Sequence, residues 1–152
     1  MQIEYDVIIA DTSRLILLEK IQELDLLRKI FEQVTITDEI AREFGGDLPD
    51  WVVVRSASKK NLAYNFDLDP GEASAIALAL ELNSTLVILD DYKARKVAQR
   101  IGLDISGTLG VFLKAKNLNV IQSVRPLLEK IQQTNFRYSQ KIFDQILLLA
   151  GE

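Results

Sequence analysis

Four carboxylates, Asp11, Glu43, Glu72 and Asp90, stand where an apolar segment stops or a helix starts or ends. Asp11 and Asp90 each terminate a short β-branched run, YDVIIA (5–10) and TLVIL (85–89). In open α/β sheets ligands bind beyond the carboxyl ends of parallel strands, so both acids are expected at one rim. Acids converging on a rim repel one another and raise one another's pKa unless a multivalent cation compensates them. Donor sets made only of oxygen select hard ions, which makes Mg²⁺ or Mn²⁺ the expected occupant. Such ions lower the pKa of a bound water, polarise a phosphoryl group and stabilise the leaving oxygen. The chemistry would be phosphodiester hydrolysis without histidine.

Each acid also has a structural employment. Asp11 and Asp90 are placed to cap the helices that follow them, although Ser13 and Asp91 are competent caps themselves. Glu43 falls in the last turn of its helix, where a carboxylate opposes the macrodipole at a cost of about 0.3–1 kcal/mol. It therefore asks for a cation, with the neighbouring Arg42 or a tolerant surface position as the structural alternative. Glu72 completes a capping box with Asp69.

Composition narrows the remaining choices. The 152 residues, 48% of them hydrophobic, fit one ordinary domain spanning 1–152 with a sizeable core. The absence of histidine and cysteine excludes zinc sites built on those ligands, thiol nucleophiles, disulfides and imidazole catalysis. No run reaches the roughly 18 apolar residues of a membrane span, and the acidic start at Met1 lacks the basic flank of a signal peptide. A soluble cytoplasmic protein without membrane contact is expected.

The net charge of −4 opposes phosphate binding, but its distribution is uneven. Residues 91–116 carry six basic side chains against two acids, a local +4 that leaves −8 for the rest. Lys93, Arg95 and Lys96, on the helix after Asp90, are placed to hold substrate phosphates near a metal. A solvated helix face accounts for the same run, and Arg95 is equally suited to pair with Asp91 four residues away.

These residues need elements to position them. The pattern predicts a strand over Tyr5–Ala10 and a helical hairpin over Leu15–Phe31, its apolar positions recurring at steps of three or four. A short helix over Asp38–Phe44, stopped by Gly45-Gly46, and an edge strand over Trp51–Arg55 follow. Ser56 to Asp69 reads as a loop. Asp69-Pro70-Gly71-Glu72 opens a helix to about Leu82, with the N-cap acid and the proline in their preferred places. Strand 85–89, a helix to Arg100 before Gly102, a short strand near Asp104-Ile105 and three C-terminal helices complete the chain. Strand, helix, strand, helix implies parallel pairing. Gly107-Thr108-Leu109-Gly110 lacks the lysine of a P-loop and reads as a helix start.

The ordered set Asp11-Thr12-Ser13, Glu43, Glu72 and Asp90 on this alternation resembles the PIN-domain ribonucleases, and among them the VapC-like toxins of bacterial toxin–antitoxin pairs. The segments that carry the resemblance are IIADTSRLI (8–16), DPGEASAIALALEL (69–82), VILDDYKAR (87–95) and GLDISGTLGVFLKAK (102–116). It implies a three-layer α/β/α sandwich with a mostly parallel sheet and extra C-terminal helices. It also implies endoribonuclease activity on RNA dependent on Mg²⁺ or Mn²⁺, a homodimer and neutralisation by a small antitoxin protein. Carried over, Asp11, Glu43, Glu72 and Asp90 are the metal-binding and catalytic acids. Asp91 assists or replaces Asp90, and Ser13 is the hydroxyl beside the metal. Arg14 stands where related toxins often carry proline, a departure expected to alter the loop and leave the ligand set intact.

A phosphoryl-accepting receiver domain would need the VILDD acidic pair on its first strand. A haloacid-dehalogenase-like phosphatase would need a second aspartate after Asp11. A PIN fold that keeps the acids but serves as a catalytically silent RNA- or protein-binding module is compatible with the same sequence. In either PIN reading, Leu127, Leu128, Ile131 and ILLLA (146–150) pack on the core or supply a dimer or antitoxin contact.

Overall fold

Five short strands form one sheet in the computed structural model, which describes residues 5–58 and 66–152. They are β1 (Val7–Ala10), β2 (Val34–Thr37), β3 (Val52–Arg55), β4 (Thr85–Ile88) and β5 (Asp104–Ser106), in the order β3-β2-β1-β4-β5. Every pairing is parallel. The central strands carry unbroken apolar runs because both faces are covered: Ile9, Ala10 and Val87 have no exposed surface. β1 and β4 pair from Val7↔Thr85 to Ala10↔Ile88, so the residues that leave them emerge at the same rim.

The described residues form eight helices: α1 (Thr12–Lys20), α2 (Asp25–Phe31), α3 (Asp38–Phe44), α4 (Pro70–Glu81), α5 (Tyr92–Arg100), α6 (Thr108–Asn117), α7 (Arg125–Gln132) and α8 (Gln140–Leu149). The chain steps outward from β1 to β2 to β3, then returns across the sheet to β4 and β5. Right-handed crossovers in opposite directions put their helices on opposite faces, which gives the three-layer α/β/α arrangement. The reversal falls between β1 and β4, the switch point at which such sheets open a crevice. α4 packs on β1, β2 and β4, while α2 packs on β2 and against α6.

The hairpin expected over 15–31 begins earlier and divides sharply. Asp11 caps α1 directly, accepting the Arg14 N–H at 3.1 Å, so helix begins at Thr12. Gln22, in the left-handed region at φ 60°, stops it and turns the chain toward α2. Gly45 ends α3 in the same conformation at φ 73°. The Trp51–Arg55 segment is an edge strand, as its pattern predicts. The loop expected over 56–69 lies in part, at 59–65, outside the described residues.

Phe112, Leu128 and Ile131, from the C-terminal helices, share one buried core with Ile9, Ile36 and Ile76. Within ILLLA, Ile146 and Leu147 are buried while Leu148 and Leu149 are exposed. No side chain of its own caps α7. The carboxylate of Glu152 does so from the far end of the chain, accepting the N–H of Val124 at 2.7 Å and of Arg125 at 3.2 Å. Among the described residues no helix is long and apolar enough to cross a membrane.

Candidate active site

Asp11 leaves β1 at the rim and is 2% exposed. Burial pushes its carboxyl up to about 6; the charge and backbone N–H of Arg14 oppose that, and the charges of Asp90 and Asp69 add to it. Capping α1 and facing the rim are thus compatible tasks for one side chain.

Asp90 leaves β4 beside it, and both of its oxygens are engaged. Oδ1 accepts the Thr108 N–H at 3.0 Å, and Oδ2 accepts the Thr108 hydroxyl at 2.6 Å and the Arg14 guanidinium. The N-terminus of α6, read from sequence as a helix start without a phosphate-binding lysine, therefore cradles a carboxylate of the chain itself. Gly107 makes that approach possible. A Cβ there would meet Asp90 Oδ1 at 2.5 Å and Arg95 Nη1 at 2.8 Å.

Arg14 is buried and reaches further than a change in loop shape. It joins Asp90, donates to Thr108 Oγ1 at 3.0 Å and lies 5.9 Å from the centre of the Phe136 ring. The departure at Arg14 is thus more than a change of loop: its long side chain folds back over the helix start and bonds Asp90, a reach the short proline ring does not have. Tyr138 stands close by. Burial raises its hydroxyl to about 12, the charge of Asp90 adding to the effect and that of Arg14 opposing it.

Glu43, in the last turn of α3, reaches across to the start of α4. Thr12 Oγ1 donates to its Oε2 at 3.3 Å, and the missing Cβ of Gly71 leaves room for its Oε1. The positive end of α4 there offsets the unfavourable end of α3. Arg42 does not serve Glu43; it pairs with Asp38 at 3.5 Å and Glu39 at 3.7 Å. Desolvation, then the charge of Asp69, raises the Glu43 carboxyl. A buried contact between the Thr37 and Ser74 hydroxyls, 2.6 Å apart, fastens α4 to the end of β2, and Thr37 also caps α3.

Glu72 lies in the first turn of α4, where its N–H is capped by Asp69 Oδ1 at 2.8 Å. Burial and then the Asp69 carboxyl raise it to about 8, with Asp91 and Asp11 contributing. Asp69, read from sequence only as a cap, is thus also a rim acid. Asp91 caps α5 through the Ala94 N–H at 2.9 Å.

The remaining predicted residues lie around this group. Ser13 is exposed on α1, where the neighbouring Thr12 supplies the hydroxyl that meets Glu43. Lys93 pairs with Asp67 at 2.9 Å, and Lys96 lies 5.0 Å from the centre of the Tyr92 ring. Arg95 donates to the Leu89 carbonyl at 3.0 Å, which holds the end of β4. Phe136 and Tyr138 carry no signal in the sequence, and Thr12, Arg14, Gly71 and Thr108, though they stand in or beside its motifs, gain their contacts with the acids only in the fold. The spacing of Gly107-Thr108 was visible, but its partner lies 18 residues upstream.

Among the described residues no three acids stand as a preformed metal cage. The donor chemistry nonetheless fits a hard divalent cation. Asp11, Glu43 and Glu72 are all raised by burial and by neighbouring carboxylates, and that repulsion is what such an ion relieves. No curated protein matches the chain. A family model for the PIN domain matches residues 7–152, all but the first few positions, and the chain belongs to the PIN-domain family.

Proposed function

We propose that this chain is a Mg²⁺- or Mn²⁺-dependent endoribonuclease of the cytoplasm, acting as one domain over its whole length. The observation that carries the reading is the buried Asp11 at the β1 end, close enough to Asp90, Asp69 and Glu72 for their charges to act on one another. Membership of the PIN-domain family supports nuclease chemistry. When bound, the divalent ion supplies an activated water and polarises the phosphoryl group.

In this reading Asp11, Glu43, Glu72 and Asp90 are the catalytic and metal-binding acids, with Asp91 in support and Ser13 beside the substrate. Thr12 orients Glu43, and Thr108 and Arg14 orient Asp90. Lys93, Arg95 and Lys96 draw the RNA backbone toward the rim. The toxin role, with a small antitoxin and a homodimer as partners, rests on the VapC-like segments of the sequence. Leu148 and Leu149, exposed on α8, offer apolar surface for either contact.

The test is incubation of the purified chain and of Asp11→Asn with total cellular RNA, in Mn²⁺ or in EDTA, with the new ends mapped by sequencing. Discrete cuts that need both Mn²⁺ and Asp11 are expected. A chain that binds RNA but makes no cuts, with Mn²⁺ bound, would instead be the catalytically silent module. One observation favours that alternative: Arg14 already occupies Asp90.

A further inference from the structure

The rim carries its own cation. Arg14 is 8% exposed and enclosed by Asp90, Thr108 and the Phe136 ring. Its Nε, buried without a hydrogen-bond partner, lies 3.7 Å from Asp11 Oδ1. The two carboxylates are treated unequally. Both oxygens of Asp90 are committed to Arg14 and Thr108, whereas the hydrogen bond received by Asp11 is the capping bond from the Arg14 backbone. The guanidinium lies within ion-pair distance of both acids but of the two hydrogen-bonds Asp90 alone, so it repels a second cation most strongly there and competes for the same lone pairs.

We propose that Arg14 takes the place of a second divalent ion, with Asp90 as its counterion, so that the rim binds a single Mg²⁺ or Mn²⁺ on the Asp11 side. The inference rests on the metal-dependent reading above and refines the place of Asp90 in it. Arg14 is then a positioning residue, holding Asp90 and setting how many ions the acids accept. Phe136 backs the guanidinium and the α6 N-terminus steadies the carboxylate, so the pair is built into the fold.

The test is calorimetric titration of Mn²⁺ into the wild type, Arg14→Met and the double variant Arg14→Met/Asp90→Asn, each first shown to be folded. One ion per chain is expected in the wild type, two in Arg14→Met and one again in the double variant, which lacks both the guanidinium and its carboxylate. Should Arg14→Met not fold, wild-type crystals soaked in Mn²⁺ decide by anomalous scattering, with one peak expected beside Asp11 and none on Asp90. A single site in folded Arg14→Met, or Mn²⁺ on Asp90 in the wild type, overturns the inference and leaves metal dependence standing. Absence of Mn²⁺ binding in the wild type overturns both.

Discussion

Arg14 and Asp90, 76 residues apart in the chain, form a partly buried ion pair that closes the rim between β1 and β4. Thr108 completes it, donating its hydroxyl to Asp90 and accepting from Arg14. Removing that hydroxyl leaves a charged pair underserved in a buried place. Thr108→Val is expected to lower stability by about 1–3 kcal/mol in urea denaturation. A variant as stable as the wild type would show that the pair satisfies itself without α6.

Two glycines make opposite predictions. At Gly71 an added methyl meets the end of the Glu43 side chain, which can swing away, so Gly71→Ala should change the melting temperature little. It should reduce Mn²⁺ affinity, because Glu43 is displaced. At Gly107 the methyl meets Asp90, pinned by Thr108 and Arg14, so Gly107→Ala should cost about 1–3 kcal/mol. Equal destabilisation by both substitutions would contradict this account of the two carboxylates.

The pH dependence of the metal-free chain has a definite sign. Burial raises Asp11 from 3.8 to about 6, and burial with Asp69 raises Glu72 from 4.5 to about 8. Between the unfolded and folded values the folded state holds more protons, so stability falls as pH rises through that window and levels above it. Thermal melts in EDTA from about pH 5 to about pH 8 should show the decline. Asp11→Asn should flatten its lower part and Glu72→Gln its upper part, while Mg²⁺ should raise stability most at the alkaline end. A melting temperature that climbs across the range would refute the burial argument.

The α5 cations separate binding from folding. Lys93 and its partner Asp67 are both exposed, and such pairs contribute little. Lys93→Ala and Lys96→Ala should leave denaturation curves unchanged, weaken RNA binding and each lower the salt slope by about 1. Arg95→Ala should differ, because its guanidinium holds the Leu89 carbonyl. A loss of about 1 kcal/mol in stability is expected there in addition to any loss of RNA affinity. Filter binding at several salt concentrations distinguishes the three.

Thr37 tests how the two sides of the rim are joined. Its hydroxyl caps α3 and meets Ser74 on α4, so one side chain sets the helices that present Glu43 and Glu72. Thr37→Val should cost about 1–2 kcal/mol and should weaken Mn²⁺ binding in the folded fraction. Full Mn²⁺ affinity in that variant would mean that α3 and α4 keep their relation without it.

The strands, the caps of α4 and α5 and the shared rim of Asp11 and Asp90 follow from local patterns. An apolar β-branched run that ends in an acid announces both the strand and its terminus, and Asp69-Pro70-Gly71-Glu72 announces a helix start. Such signals act within a few residues, where sequence spacing and spatial spacing agree. Arg14 carries a weaker signal: its departure from proline marks the position but not the partners, which exist only once β4 and α6 bring Asp90 and Thr108 over it. The same holds for Glu152 capping α7 from 28 residues away, and for Phe136 and Tyr138 beside the acids. Residue types alone therefore determined that this chain could gather carboxylates at a sheet edge. Which of them are already compensated, and by what cation, was decided by packing, because desolvation and charge pairing depend on distances that exist only after the chain has closed on itself.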